Sequence, residues 1–268
     1  MSERSEYSSG EFCWVDVSLP DTDAGAEFYR DLAGWDWESG GEETNNYGMF
    51  TRDGKIVAGM GPTQSDEQPP AWASYVSVEE ADATAARITE AGGTVMMEPF
   101  DVLDAGRMAV CADPQGAVFC IWQPKQTHGA ELVNEVGSWT WNQLATTDLE
   151  AAEKFYSEVF GWKLAGPPPE GQPESGEYFM WQVDGQRWEE GIAGGMRMEA
   201  GQFPPGVPPH WMVYLAVEDA EAAVETTKKA GGQILVEPTD IPVGRLAVMV
   251  DPQGAPFAVI QPDYPGPR

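Results

Sequence analysis

The chain is poor in basic side chains and has no long apolar run, and both shortages exclude classes of partner. It has 15 lysine and arginine residues against 44 aspartate and glutamate residues among 268, for a formal net charge of −29. Because so acidic a surface repels phosphate groups, we expect no nucleic-acid partner and no anionic membrane partner. No apolar stretch approaches the roughly 20 residues that a membrane-spanning helix requires. The start of the chain, MSERSEYSSGE, lacks the apolar core of a secretory signal. These features predict a cytoplasmic protein whose acidity serves solubility.

Cysteine and histidine are also scarce, which argues against a transition-metal site. The three cysteines, Cys13, Cys111 and Cys120, are odd in number, have no metal-type spacing and lie in apolar runs. They are expected to be buried, reduced thiols. Of the two histidines, His128 lies in a polar stretch and His210 enters a predicted strand. A single histidine is a poor basis for zinc or iron, so no metal and no cofactor are predicted.

What the sequence does contain is a long internal repeat. Residues 14–35, WVDVSLPDTDAGAEFYRDLAGW, recur with changes as residues 141–162, WNQLATTDLEAAEKFYSEVFGW. The stretch GRMAVCADPQGA at 106–117 recurs as GRLAVMVDPQGA at 244–255. The second half carries about a dozen extra residues, which must lie in residues 165–179 and 187–209. Both segments are rich in glycine and proline and are predicted to be loops, either lids over a pocket or surface insertions.

Each half divides again into two units of strand, helix and three strands. In the first half, the predicted helices cover residues 22–34, capped by Asp21 or Asp23, and residues 79–91. The predicted strands cover residues 12–19, 35–38, 46–52, 55–60, 72–78, 94–98, 107–112 and 117–123. Four βαβββ units make an α+β fold. The predicted organisation is a flexible N-terminus (1–10), a first domain (11–125), a linker (126–137) and a second domain (138–264).

The sequence FYRDLAGW and its copy FYSEVFGW follow the first helix of each half, and DPQGA precedes each last strand. With the four βαβββ units, these motifs resemble the vicinal oxygen chelate superfamily, which includes glyoxalase I, bleomycin-resistance proteins and extradiol dioxygenases. More narrowly, the chain resembles the tandem two-domain glyoxalase-related proteins of actinomycetes. The resemblance implies two domains with curled mixed sheets around cavities, and a monomer with pseudo-twofold symmetry or a homodimer. It leaves open whether each cavity forms within one half or between the halves.

The resemblance also implies where metal ligands would lie, and this chain lacks suitable side chains there. In metal-using relatives the ligands are His, Gln or Glu on the first and last strands of the units. The corresponding positions here are Trp14, Trp141, Ala73, Met212, Cys120 and Ala258. A protonated indole and an alanine cannot bind a metal ion. The superfamily's usual divalent site is therefore predicted to be missing.

The same positions are predicted to form an aromatic ligand pocket instead. Strand alternation places Trp14, Asp16 and Ser18 on one face, and Trp141 and Gln143 on the matching face of the second half. Weaker candidates for the same walls are Trp72, Trp122, Trp211, Cys120, His210 and Met212. The alternative is that the tryptophans only fill the core, as is predicted for Trp35 and Trp162 and for the packing residues Tyr29 and Tyr156.

Three functions fit these residues. The first is binding of a small hydrophobic or aromatic molecule, with no metal involved. The second is a metal-independent lyase, isomerase or hydroxylase-type enzyme in which Asp16 or His210 acts as acid or base, with Glu11 and Glu237 as competitors for that role. A metal-dependent lactoylglutathione lyase or dioxygenase is disfavoured by the missing ligands. The third is a structural or interaction protein whose cavities are filled by its own side chains.

Overall fold

A computed structural model of the chain describes residues 3–165, 178–183, 191–199, 203–204 and 206–263. Most of these residues belong to two eight-stranded mixed sheets, one in each half, with two α-helices per half. The sheets are open rather than closed barrels. The predicted α+β class with four βαβββ units is confirmed. No helix among the described residues is long and apolar enough to cross a membrane.

The first sheet is built entirely from residues of the first half. Its helices are α1 (Thr22–Ala33) and α2 (Ala81–Glu90). Its strands are β1 (Phe12–Leu19), β2 (Asp36–Ser39), β3 (Gly48–Arg52), β4 (Lys55–Pro62), β5 (Ala71–Ser77), β6 (Thr94–Val102), β7 (Gly106–Ala112) and β8 (Val118–Pro124). They lie in the order β2-β3-β4-β1-β5-β8-β7-β6. Helix α1 begins after Asp21, whose side chain accepts the amide of Ala24, and ends at Gly34 in a left-handed conformation.

The second sheet repeats this architecture. Its helices are α3 (Leu149–Phe160) and α4 (Ala220–Ala230). Its strands are β9 (Trp139–Thr146), β10 (Trp162–Leu164), β11 (Tyr178–Val183), β12 (Ala193–Arg197), β13 (His210–Ala216), β14 (Gln233–Ile241), β15 (Gly244–Val250) and β16 (Pro256–Pro262). Their order, β10-β11-β12-β9-β13-β16-β15-β14, is that of the first sheet.

The two units of each half meet through their first strands, which settles how the units pair. In the first half β1 runs antiparallel to β5, with Trp14 opposite Tyr75. Strand β5 runs parallel to β8, with Tyr75 opposite Cys120. Trp14 therefore shares its sheet with Cys120 and not with Ala258, which pairs with Tyr214 in the other sheet. Each sheet is therefore formed within one half.

The helix-bearing faces of the two sheets pack on one another and form the core. Tyr29 of α1 packs against Trp35 and Trp72 and contacts Phe257 of the second half. Its hydroxyl donates to Asp251 at 3.0 Å and accepts from the Trp72 indole at 2.9 Å. The packing role predicted for this tyrosine is present, and a hydrogen bond to the other half accompanies it.

The repeated DPQG turns make the contacts between halves symmetric. The Asp113 carboxylate accepts the amides of Gln115 and Ala117, as predicted for a turn-forming residue, and also the Tyr156 hydroxyl at 3.1 Å. The Gln115 side-chain oxygen accepts the amide of Asp148 at the start of α3. Gln253 does the same for Asp21 at the start of α1. Each turn thus binds the beginning of the other half's first helix.

Several local predictions differ from the structure. Strand β12 forms inside residues 187–209, which were predicted as a loop because of their glycines. The paired glycines fit the strand because the rings of Tyr178 and Phe179 lie where side chains of Gly194 and Gly195 would otherwise project. The remainder of the two predicted insertion loops lies largely outside the described residues.

The N-terminal segment, predicted to be flexible, makes specific contacts. Arg4 donates its amide to the Glu131 carbonyl at 2.9 Å, and the Tyr7 hydroxyl donates to the Ala130 carbonyl at 2.7 Å. These bonds join the segment to the stretch between the sheets. The sheets themselves span residues 12–124 and 139–262, whereas the domain limits 11–125 and 138–264 stay predictions.

Candidate functional site

Strand β1 separates two environments by simple alternation. Cys13, Val15 and Val17 have no exposed surface and point toward the helices and the other half. Trp14 and Asp16 point to the opposite side. We call that side the first front face, defined by Trp14, Asp16, Ala73, Tyr75, Cys120 and Trp122. Asp16 lies directly opposite Ala73 on β5 and Gly59 on β4, so its carboxylate stands at the centre of the sheet.

The centre of the first front face is a network of four polar side chains. The Trp14 indole nitrogen donates to the Tyr47 hydroxyl at 3.0 Å. The hydroxyls of Tyr47 and Tyr75 both donate to Asp16 Oδ2, at 2.9 and 2.8 Å. Tyr47 reaches this position by crossing over Gly59, where a Cβ atom would lie 1.9 Å from the tyrosine oxygen. A glycine at that position is what allows the network to form.

Asp16 combines deep burial with one free oxygen. The residue is 8 % exposed. Among the described residues Oδ1 has no hydrogen-bond partner, yet it is not one of the polar atoms sealed from solvent. Desolvation raises the pKa of this carboxyl from 3.8 to about 6, against the opposing effect of the two tyrosine hydrogen bonds. Near neutral pH the site therefore holds a buried carboxylate that readily takes up a proton.

The ionisable groups around Asp16 are neutral. Burial, and then the nearby Asp16 charge, raise the pKa values of Tyr47, Tyr75 and Cys120 well above their usual range. Cys120 is consequently a thiol rather than a thiolate, which makes it a poor nucleophile and a poor metal ligand. The local charge of the first front face is carried by Asp16.

The second half contains a corresponding network in which Gln143 replaces the central Asp16. The Trp141 indole donates to the Tyr178 hydroxyl at 2.9 Å, which matches Trp14 and Tyr47. The Tyr214 hydroxyl donates to Gln143 Oε1 at 3.0 Å, which matches Tyr75 and Asp16. An amide replaces the carboxylate, so this second front face has no charge at its centre. We define it by Trp141, Gln143, Tyr178, Met196, Met212 and Tyr214.

The second front face is also more filled. Met212 lies opposite Gln143 on the neighbouring strand, where the first half has Ala73 opposite Asp16. Met196 takes the place of Gly61, and its sulfur accepts a hydrogen bond from Gln143 Nε2 at 3.1 Å. Among the described residues, two methionines thus stand where the first half has an alanine and a glycine, and the Tyr47 ring lies against that glycine.

Half-buried apolar side chains extend the first front face beyond its polar centre. On one side, Met49 lies opposite Gly59. On the other, Val110 lies opposite Cys120 and Met108 opposite Trp122. Phe100, 38 % exposed, pairs with Met108 at the sheet's edge. The first front face thus places a carboxylate oxygen within a partly exposed apolar surface, which are features that small-molecule sites combine.

The predicted site residues are distributed unevenly. Cys120 and Trp122 lie on the first front face with Trp14 and Asp16, and Gln143, Trp141 and Met212 lie on the second. Their role in binding stays a prediction. Trp72 and Trp211 were wrongly placed among the candidates, because alternation turns them to the opposite face. There their indole nitrogens donate to Tyr29 and Tyr156, each at 2.9 Å.

His210 and the two rival carboxylates lie away from Asp16. His210 belongs to the second sheet, opposite Ala145, and its Nδ1 atom is 2.8 Å from the Pro208 carbonyl oxygen. Glu11 accepts the amide of Ser8, and Glu237 forms an exposed ion pair with Lys228. Neither carboxylate has a hydrogen bond into the Asp16 network among the described residues.

The donor set of the first front face does not fit a divalent metal ion. It consists of one carboxylate, two protonated tyrosines and a protonated thiol, whereas such ions are held by several carboxylate, imidazole or thiolate ligands. Across the described ranges of the chain, no group of three or more His, Cys, Asp and Glu side chains is arranged to hold a metal.

The tyrosines of the network were missed by the sequence analysis. Tyr75 and Tyr214 open the matching stretches YVSV and YLAV, and alternation from Trp14 and Asp16 across the β1–β5 pair would have placed them on the front faces. Tyr47 and Tyr178 carried no such signal, because each lies outside the aligned repeats and reaches its partner across a glycine.

Comparison with known proteins identifies the family. The family model of the Glyoxalase/Bleomycin resistance protein/Dioxygenase superfamily matches residues 139–259, and that of the Glyoxalase-like domain matches residues 14–122. The chain is 40 % identical over 272 residues to "Putative glyoxylase CFP32" of Mycobacterium tuberculosis, covering 98 % of each chain. It is 35 % identical over 277 residues to "Anthracycline biosynthesis protein DnrV" of Streptomyces peucetius, covering 96 % of this chain and 95 % of the other.

Solved structures show the same fold at low identity. The Mn(II)-bound glyoxalase of Novosphingobium aromaticivorans superposes with a TM-score of 0.60 at 18 % identity, covering 96 % of this chain and 85 % of that one. The 2,3-dioxygenase LapB of Pseudomonas sp. KL28 superposes with a TM-score of 0.61 at 13 % identity, covering 97 % and 95 %. With two family models that together span most of its length and relatives matched almost end to end, the chain belongs to the glyoxalase/bleomycin resistance protein/dioxygenase superfamily.

Proposed function

We propose that this protein binds a small hydrophobic or aromatic molecule on its first front face, without the divalent metal used by other members of the superfamily. The observation that carries the proposal is Asp16 Oδ1, an unpartnered carboxylate oxygen on a buried residue at the centre of a partly exposed apolar surface. An unpaired polar atom in such a place has a free-energy cost that a ligand donor would offset.

The apolar surroundings support this class of ligand. The same face has four partly accessible apolar side chains, those of Met49, Met108, Val110 and Phe100. The core residues on the opposite face of the sheet are buried. Flexible methionines adapt to flat or irregular molecules. One relative is named for anthracycline biosynthesis. Anthracyclines are polycyclic aromatic molecules, which agrees with a planar aromatic ligand here.

Metal independence is part of the proposal, since Asp16 is the one charged donor of the first front face. Elemental analysis of the purified protein tests it directly. We expect well below one equivalent of zinc, manganese, iron or nickel per chain, and ligand binding that survives treatment with a chelator. One bound equivalent whose removal abolishes ligand binding would overturn metal independence while leaving the binding function intact.

A filling substitution tests the binding site itself. Ala73→Met copies the second half's Met212 and places a long side chain beside Asp16, without removing any residue of the network. Titration calorimetry with 2-naphthylmethanol as probe should show at least tenfold weaker binding to this variant than to the wild type. Met212→Ala is the matched control in the other half and should leave the wild-type site unchanged. Equal binding by wild type and Ala73→Met would refute the assignment to this face.

A catalytic role for Asp16 is the second candidate function, and its raised pKa favours it. A carboxyl with a pKa of about 6 is ionised at neutral pH and basic enough to accept a proton from a bound molecule. A metal-independent lyase, isomerase or hydroxylase-type reaction would use it in this way. Asp16→Asn should then abolish turnover of any substrate while the variant still binds the neutral probe. His210, the other candidate acid or base, lies in the second sheet.

A further inference from the structure

Resting on the proposed binding function, we infer that the two front faces select different ligands: the first binds a planar aromatic molecule carrying a protonated amine, and the second does not share this preference. The difference is set by Asp16 in the first half and Gln143 in the second. Asp16 and Gln143 occupy equivalent positions of two sheets with the same strand order, and each accepts a hydrogen bond from the matching tyrosine of the neighbouring strand. The two halves of the chain can therefore be compared directly.

The first step of the argument is that Asp16 is an uncompensated buried charge. Among the described residues, no ion pair includes it and no lysine or arginine contributes to the shift of its pKa. Its hydrogen bonds come from two neutral tyrosines, and both reach Oδ2. A buried carboxylate without a cationic partner is unfavourable, and a ligand ammonium would supply the missing partner through a charge-assisted hydrogen bond.

The second step is that none of the described groups near Asp16 can supply that positive charge. The titratable groups facing it are Tyr47 before β3, Tyr75 on β5 and Cys120 on β8, and each is neutral when protonated. Trp14, beside it on β1, uses its indole donor on Tyr47. The available oxygen, Oδ1, is therefore the point at which a cationic group would bind.

The third step is that the second half has lost both the charge and the free acceptor. Gln143 Oε1 accepts from Tyr214, and Gln143 Nε2 donates to Met196, so both ends of the amide are partnered. Met212 lies directly opposite. A cation placed there would meet an amide that already has partners and a methionine side chain.

The experiment compares 2-naphthylmethylamine with 2-naphthylmethanol, two probes of nearly the same shape that differ in charge. Calorimetry at pH 7.5 should show the amine binding at least tenfold more tightly than the alcohol to the wild type. Asp16→Asn should abolish this preference, so that the amine and the alcohol bind the variant with similar affinity. At pH 5 the wild type should lose about tenfold of its amine affinity, because a carboxyl of pKa about 6 is then mostly protonated.

Gln143→Glu, made together with Met212→Ala, is the gain-of-function counterpart and should create a second amine site per chain. Alcohol binding with no preference for the amine would overturn the inference and leave the binding function standing. Binding of neither probe would overturn both. An amine preference that persists in Asp16→Asn would place the cation elsewhere and refute the assignment to this residue.

Discussion

Replacing Asp16 by asparagine should change the stability of the protein in a pH-dependent way. Relative to the wild type, the variant should be more stable at neutral pH than it is in acid, even though the substitution removes a residue of the central network. The carboxyl is buried and has a pKa of about 6 in the folded state, whereas its ordinary value in an exposed chain is 3.8. The folded state therefore binds the proton more tightly than the unfolded state, and wild-type stability falls as pH rises through this window. This difference in pKa between the two states corresponds to about 3 kcal/mol of free energy of unfolding.

The size of this effect can be measured as a difference between two proteins. Urea unfolding of the wild type and of Asp16→Asn would be followed at several values between pH 4 and pH 7.5. Since the other carboxylates are shared, their titration cancels. The free energy of unfolding of the variant minus that of the wild type should increase by about 3 kcal/mol from the acid end to the neutral end, and most of the change should occur between pH 4 and 6.

The second half offers the opposite substitution as a control. Gln143→Glu introduces a carboxyl into the matching network, so its stability relative to the wild type should fall with rising pH. A pH-independent difference for Asp16→Asn would refute the reasoning, because it would mean that the carboxyl has the same proton affinity in both states. A difference that changes in the other direction would show that the tyrosine hydrogen bonds outweigh desolvation.

Two further predictions concern the packing of tyrosines. Tyr29→Phe and Tyr156→Phe each remove a hydroxyl that donates to an aspartate of the other half and accepts from an indole of its own half. Each should lower the free energy of unfolding by about 1–3 kcal/mol, and a loss below about 0.5 kcal/mol in urea titrations would contradict this. Gly59→Ala should push Tyr47 away from Asp16, since the new Cβ would lie 1.9 Å from its hydroxyl oxygen. The variant should bind 2-naphthylmethylamine differently from the wild type in calorimetry, whereas Gly194→Ala, the equivalent change at Tyr178, should not alter amine binding.

The sequence predicted the fold well because its elements are locally encoded. Asp21 and Gly34 mark the two ends of α1, and the repeated DPQG turns mark the last strand of each half. Alternation along β1 correctly separated Trp14 and Asp16 from the sealed residues between them. The pairing of the units within each half depended on the β1–β5 register, which neither local propensity nor the repeat could decide.

The site was predicted only in part, for a reason that its geometry explains. Asp16 was recognised from its place on an inward-facing strand, but its partners Tyr47 and Tyr75 come from distant segments. Tyr47 depends on a close approach to Gly59 that leaves no periodic pattern. Trp72 was assigned to the wrong face of the sheet because it was chosen as an aromatic residue, without regard to the alternation of side chains along its strand. A residue's neighbours across a sheet, rather than its type, determine whether it faces a ligand.

The two DPQG turns make each half of the chain depend on the other, because each turn contacts the first helix of the opposite half. The start of α1 is completed by Gln253, and the start of α3 by Gln115. Each half thus supplies a hydrogen-bond acceptor to the first helix of the other half. We therefore expect a substitution of either glutamine to weaken the start of a helix in the opposite repeat, so that the stabilities of the two halves are linked.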